Sequence, residues 1–332
     1  MTKRAATSIR DLCIRRARVP LEVPVSSAIV HVDAVHLVIV ELATENGSVG
    51  LSYAFAFSSR DAEMIEACLR AVTDLVIGQD AVEVEALWQR ISSAVVFLGL
   101  GGPMLAALSV IDMACWDIKA KELGRPLHHL LGNARGEIPA YASGGSLGLG
   151  AGQLADEVCG YAKAGFRQAK VKLANDIDVN SNRLSAVRQA VGEDMVLYVD
   201  GNQQWSPRAA IEAIRALDEF SPEWLEEPVD ARDFDGLAQV RQMAGPKIAT
   251  GETNFGEHEF AQLLRSRSAD VLMPNLQRVG GITGWLRIAD AARHEGVAMA
   301  SHVNAHFSLP LMCGTSNSVT LEYIPWWPNP FN

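Results

Sequence analysis

The 332-residue chain lacks any uncharged apolar stretch approaching the roughly 18 residues needed to cross a bilayer, which excludes a transmembrane helix and a membrane partner. Its basic N-terminus, residues 1–18, never reaches an apolar core, so no secretory leader is expected. Cysteine is sparse and unpatterned. The five residues Cys13, Cys68, Cys115, Cys159 and Cys313 are an odd set without CxxC spacing, which argues against a disulfide framework or a zinc cluster. Together these features point to a cytoplasmic protein. Positive charge is in deficit, with 29 Lys and Arg against 39 Asp and Glu, a formal net charge of −10. Such a field repels phosphate backbones and makes nucleic acid an unsuitable partner. It does not forbid a small anion, because a metal or a lysine pair can reverse the sign inside one cleft.

What is present divides in two. Residues 29–43 and 49–56 read as strands joined at Asn46-Gly47, a strong hairpin signal. Helical patterns follow at 61–76, 82–92 and 103–123, the last ending at Gly124 with Pro126 beyond. The first 131 residues therefore read as an α+β domain. From there the rhythm changes. Short apolar runs at 138–142, 168–173, 195–199, 223–225, 247–250, 270–273, 297–300 and 318–321 alternate with seven helical segments. Strands alternating with helices predict a parallel sheet, and eight at this spacing fit a closed barrel over 132–325. A short tail, 326–332, remains. The Gly-rich run 144–152 is the loop after the first barrel strand.

Active sites of such barrels lie at the C-terminal ends of the strands. Reading off those ends gives Lys170-Val171-Lys172, Asp200 with Asn202, Glu226, Glu252, Asn275, His302 and Glu322. Asp200, Glu226 and Glu252 recur 26 residues apart on consecutive strands. A single acid there is an ordinary helix cap or loop residue. Three converging on one axial cavity cannot all ionise without a cation, and an all-oxygen set favours Mg²⁺. Lys170 and Lys172, two apart on a strand, share the inward face, where mutual repulsion is expected to depress one ammonium and make it a base. His302 with His306 has the i, i+4 spacing of a helical zinc site, but His302 closes a strand, so an acid or base facing the lysines is the better reading.

These residues sit in an ordered series of motifs: ARVPLEVPV, GLSYAFAF, IDMACWD at 111–117, KVK at 170–172, VDGNQQW at 199–205, WLEEP at 224–228, GETNF at 251–255, MPNLQRVGGITGW at 273–285, SH at 301–302 and LEYIPW at 321–326. Almost end to end, the series resembles the mandelate racemase / muconate lactonizing enzyme family of the enolase superfamily, and within it the mandelate racemase subgroup. The resemblance implies an α+β capping domain over a modified TIM barrel, (β/α)7β, forming a homo-oligomer. It implies that Asp200, Glu226 and Glu252 bind Mg²⁺ and that Lys172 is the general base, with Lys170 beside it on the substrate carboxylate. His302 matches the second acid/base and Glu322 the acid that hydrogen-bonds that carboxylate. Ser143 and Asn202 match polar substrate contacts. The implied chemistry removes the proton α to a carboxylate and stabilises an enediolate.

Two departures bear on function. The subgroup has Asp where this chain has Asn275, and an amide cannot supply the charge that makes a histidine more basic. That tilts the expectation from racemisation toward dehydration, with Lys172 as base and His302 as acid. Family members usually continue past barrel strand eight, whereas this sequence stops at Asn332. In the family the segment corresponding to Pro20–Ser27 closes over the substrate, and Glu22 with two serines suits hydroxyls. The first expectation is thus a Mg²⁺-dependent dehydratase of an acid sugar or polyhydroxy acid. The alternatives are a racemase or epimerase of an α-hydroxy acid, and a degenerate metal-binding barrel. A zinc hydrolase would want HxH on strand one, which reads Pro139-Ala140-Tyr141-Ala142-Ser143.

Overall fold

A strand that periodicity does not reveal opens the fold. In the computed structural model, which describes residues 5–327, β1 (Ile9–Ser26) runs antiparallel to β2 (His31–Thr44). Its Arg-rich, mostly exposed sequence and its two prolines hide it. Both are tolerated because β1 is an edge strand, with a register shift between Pro20 and Val25. The expected Asn46-Gly47 turn returns β2 into β3 (Val49–Ala56), with Gly47 in the left-handed region. Two helices pack on this sheet, α1 (Ser59–Val76) and α3 (Gly102–Glu122), and between them in sequence α2 (Val84–Ala94) packs on both. The Ser58 hydroxyl caps α1 by accepting from Asp61 N–H, and Ile65, Leu69, Val72 and Val76 form its buried stripe. Almost every residue of α3 from Met104 to Cys115 is buried, because this helix lies between the sheet and the following barrel. The short α4 (Leu127–Leu130) leads out.

The barrel then closes as expected. Its eight parallel strands are β4 (Ala140–Ser143), β5 (Gln168–Lys172), β6 (Val196–Asp200), β7 (Trp224–Glu226), β8 (Lys247–Thr250), β9 (Val271–Leu272), β10 (Ala298–Ala300) and β11 (Ser318–Tyr323). Seven helices fill the intervals: α5 (Ala151–Lys163), α6 (Ile177–Val191), α7 (Pro207–Leu217), α8 (Phe234–Met243), α9 (Gly256–Arg265), α10 (Gly281–His294) and α11 (Ala305–Gly314). β11 pairs with β4, giving (β/α)7β. Strand side chains alternate, so one set packs outward on the helices and the other fills the interior. Tyr141, Tyr198, Trp224, Val271 and Met273 are that interior set, with Tyr198 stacked on Trp224 at 3.7 Å between ring centroids. Burial of each large side chain here contributes on the order of 3 kcal/mol. This plug forms a floor, and the charged strand ends stand on it.

The N-terminal unit grips the barrel along residues 275–283. Asp112 on α3 accepts hydrogen bonds from the N–H and hydroxyl of Thr283, supplying the cap that α10 lacks at its N-cap residue Gly280. Gly281, with φ 77°, makes room, since a β-carbon there would overlap the Asp112 carboxylate. Trp88 Nε1–H donates to the Gly280 carbonyl, and Trp116 Nε1–H to Thr283 Oγ1. Gln277 bonds both backbone groups of Phe55 on β3: its Oε1 accepts from Phe55 N–H at 3.0 Å and its Nε2 donates to the carbonyl at 3.1 Å. Of the expected tail 326–332, residues 328–332 lie outside the described residues.

Candidate active site

Parallel register brings the strand-end residues level. Lys172 pairs with Asp200 across β5 and β6, and Asp200 with Glu226 across β6 and β7. Asp200 and Glu226 are the last residues of their strands, while Glu252 lies two residues beyond β8. Each of the three carboxylates is met by a basic side chain. Lys170 Nζ lies 2.6 Å from Glu226 Oε1, 2.9 Å from Glu322 Oε1 and 3.8 Å from Asp200 Oδ2. Lys172 Nζ is 2.9 Å from Asp200 Oδ2, and His302 Nε2 is 3.1 Å from Glu252 Oε2. Glu322 Oε2 also accepts from Val303 N–H at 2.7 Å.

The electrostatics differ from the expectation that neighbouring lysines depress each other. Burial does pull both ammonium groups down, and Lys170 opposes Lys172. Yet Glu226 and Glu322 around Lys170, and Asp200 beside Lys172, raise both above the ordinary lysine value. The carboxylates dominate because they are closer than the second ammonium. Burial pushes Glu226 well above its usual range, and Asp200, Glu252 and Glu322 add to this against Lys170. Glu322 goes the other way: Lys170 and His302 overcome burial and hold it at about 2. Burial is also overcome at Glu252, which His302 and the two lysines hold well below the carboxylate range.

Among the described residues, no three His, Cys, Asp or Glu side chains are already gathered as a metal cluster. The donor set nevertheless suits a hard divalent cation. Asp200, Glu226 and Glu252 offer only oxygen, Asp200 and Glu252 raise the proton affinity of Glu226, and Glu226 Oε2 is buried with no hydrogen-bond partner.

Asn275 is buried, and its amide orientation is fixed from one side. Its Oδ1 accepts from Gln277 N–H at 3.0 Å, so its Nδ2 faces His302 Nδ1 at 2.9 Å. An amide nitrogen donates, which makes Nδ1 the acceptor and leaves the ring proton on Nε2. Asn202, with φ 44°, folds its N–H and Nδ2 back onto Asp200 and accepts from Lys172 through Oδ1 at 3.3 Å. Ser143, buried at the end of β4, faces the same space. Glu22 does not. It stands exposed on β1 beside the register shift and is absent from the cavity wall. His306 is exposed on α11, away from His302.

The enclosed space measures about 140 Å³. Four larger depressions, of about 270 to 610 Å³, lie elsewhere on the molecule, and of the strand-end residues they reach only Glu322. Chemistry selects the smaller space. Several of its walls escaped sequence reasoning: Phe55 and Phe57 from the end of β3, Thr253, Arg278, and the paired Trp326 and Trp327. A signal existed for the first two, because Tyr53, Phe55 and Phe57 form a period-two aromatic stripe. Trp327 packs edge-on against Phe55 at 4.8 Å. Glu227, also overlooked, accepts from Gln203 Nε2, and burial beside Glu252 pushes its carboxyl up to about 8. Val25, Ser27, Ile29, Val30 and Val32 form the lid, which is latched where Ser26 N–H donates to Ser146 Oγ at 2.9 Å and Leu147 N–H to the Ser26 carbonyl.

Comparison with known proteins agrees with this geometry. The profile described as "Mandelate racemase / muconate lactonizing enzyme, N-terminal domain" matches residues 9–132, and "Enolase C-terminal domain-like" matches 153–331. The L-talarate/galactarate dehydratase of Salmonella typhimurium is 35% identical over 331 residues, covering 95% of this chain and 81% of that protein. A solved L-talarate dehydratase from Polaromonas, complexed with Mg and L-glucarate, superposes with a TM-score of 0.91 at 31% identity, covering 96% of this chain and 87% of that one. An enolase from Bradyrhizobium, complexed with magnesium and mandelic acid, gives 0.88 at 30% identity, covering 96% and 88%.

Proposed function

The chain belongs to the mandelate racemase / muconate lactonizing enzyme family, and from that premise we propose that it is a Mg²⁺-dependent dehydratase of acid sugars. Asp200, Glu226 and Glu252 hold the cation. Bound Mg²⁺ would neutralise the three carboxylates, loosen Lys172 from Asp200 and offset charge on the substrate carboxylate. Lys170 holds the reacting carboxylate, and Glu322, 2.9 Å from its ammonium, fixes the position of that charge. Lys172, as the neutral amine, takes the α-proton, and Asn202 fixes its direction. The electron pair left on the α-carbon expels the β-hydroxyl. The departing oxygen leaves hydrogen-bonded to His302 Nε2–H and takes its proton from solvent, so water leaves and the enol product tautomerises to a 2-keto-3-deoxy acid.

The observation that carries dehydration is the locked Asn275 amide. With Gln277 N–H on Oδ1 and His302 Nδ1 on Nδ2, the imidazole presents a proton rather than a lone pair to the substrate. A histidine so arranged is a hydrogen-bond donor and not a base. The relative named for talarate and galactarate supports the same class. Ser143 and Asn202 contact the substrate, whereas Glu22, proposed from sequence, lies too far outside the cavity wall to be retained. The reading includes an N-terminal capping domain over 1–131 and a barrel over 132–325, a division the profile ranges support. It also includes a cytoplasmic location and self-association.

A second reading has its own observation. Val25, Ile29, Val32, Phe55, Phe57 and both tryptophans make much of the cavity wall apolar, which suits a racemase of an α-hydroxy acid with an apolar side chain. A library of acid sugars incubated with Mg²⁺ and assayed for 2-keto acid separates the two. Dehydration gives a keto product that chelation abolishes. Inversion at the α-carbon with no keto product would replace the first reading with the second.

A further inference from the structure

Four basic side chains line the cavity, and three are committed to carboxylates: Lys170 to Glu226 and Glu322, Lys172 to Asp200, and His302 to Glu252. Arg278 is the exception. Among the described residues no carboxylate lies within ion-pair distance of its guanidinium, its Nε is buried without a hydrogen-bond partner, and its Nη1 makes one long bond, 3.4 Å, to the Thr253 carbonyl. The adjacent acids are already engaged. Glu227 accepts from Gln203 and Thr253, and Glu252 faces His302. The guanidinium lies 5.0 Å from the Phe255 ring centroid, and that packing against an aromatic ring holds it in place. A planar fork of five donors using one of them, beside apolar walls, is costly unless something anionic completes it.

We propose that Arg278 is the specificity residue for a second carboxylate, so that the preferred substrate is a sugar diacid rather than a monoacid. This rests on the dehydratase reading. One end of the substrate meets Lys170 and reacts. The far end meets Arg278, whose fork matches a carboxylate in two-point contact. A terminal CH₂OH in the same place satisfies at most one donor and leaves the buried positive charge unpaired.

Galactarate and galactonate differ only in that terminal group and form a matched pair. With Mg²⁺ present, kcat/KM for galactarate is expected to exceed that for galactonate by about 100-fold in the unaltered protein. In Arg278→Met the ratio falls toward one, and in Arg278→Lys, which keeps the charge but loses the fork, it lies between. Melting curves confirm that both variants fold. A ratio that survives Arg278→Met, or galactonate preferred from the start, overturns the inference and leaves the dehydratase reading standing. A purely structural Arg278 lowers both substrates together and also overturns it. If neither acid is dehydrated, calorimetric titration in Mg²⁺ decides. Galactarate binding that Arg278→Met abolishes keeps the subsite and removes the dehydratase reading, and no binding removes the subsite.

Discussion

Replacing Asn275 with Asp tests the proton placement at His302 directly. In the native site Gln277 N–H fixes Oδ1, Nδ2 donates to His302 Nδ1 at 2.9 Å, and the ring proton lies on Nε2. A carboxylate has no donor, so in Asn275→Asp the Gln277 N–H takes one oxygen and His302 must donate Nδ1–H to the other. The Nε2 lone pair then turns toward the substrate and can accept an α-proton. A charge-assisted bond exceeds the neutral one by about 1.4 kcal/mol, which corresponds to about tenfold. Proton NMR in D₂O, with Mg²⁺ and a non-eliminating α-hydroxy acid, reads deuterium entry at the α-carbon. A rise of about tenfold is expected in Asn275→Asp, and none in Asn275→Asp/His302→Asn. Exchange that stays flat, or that persists without His302, would refute the assignment of Nε2–H.

Three further perturbations follow from the same geometry. Lys172→Ala should lower turnover at least 10³-fold while leaving the melting temperature within a few degrees; residual turnover near the native rate would move the base elsewhere. Ser146→Ala removes the lid latch from Ser26 N–H, worth about 1 kcal/mol, so KM should rise about fivefold with kcat nearly constant, and an unchanged KM would remove the latch. Burial pushes the Asp112 carboxyl up to about 7, against hydrogen bonds from Thr283 and Ile282. The folded protein therefore keeps a proton that the unfolded chain releases near pH 4. Stability is fully present below that pH and falls by about 4 kcal/mol as pH rises to about 7. Denaturant midpoints across this range should show that slope, and Asp112→Asn should flatten it. Equal slopes in the two proteins would contradict the buried proton.

The barrel and its strand-end acids were legible because parallel βα units repeat at short intervals and each strand announces its end with a polar residue. β1 was not, since its partly buried alternation at Ala17, Val19 and Leu21 is short and is broken by Arg15-Arg16, Pro20 and Pro24. Glu22 misled too: its position in sequence placed it near the lid, but the register shift leaves it outside. The lysine pair was placed correctly and its electrostatics were not. Sequence spacing shows which charges are neighbours, whereas the 2.6–2.9 Å contacts that set the balance belong to the fold. Arg278 and the tryptophans became visible only when loops from different strands closed on one space.

The central claim, dehydration rather than inversion, is tested most directly by following one sugar diacid with Mg²⁺ in D₂O by NMR. Loss of the α-proton signal together with growth of a 3-deoxy-2-keto acid, both stopped by chelation, is the expected result. Deuterium entering the α-carbon of recovered or inverted substrate, with no keto acid, would contradict it.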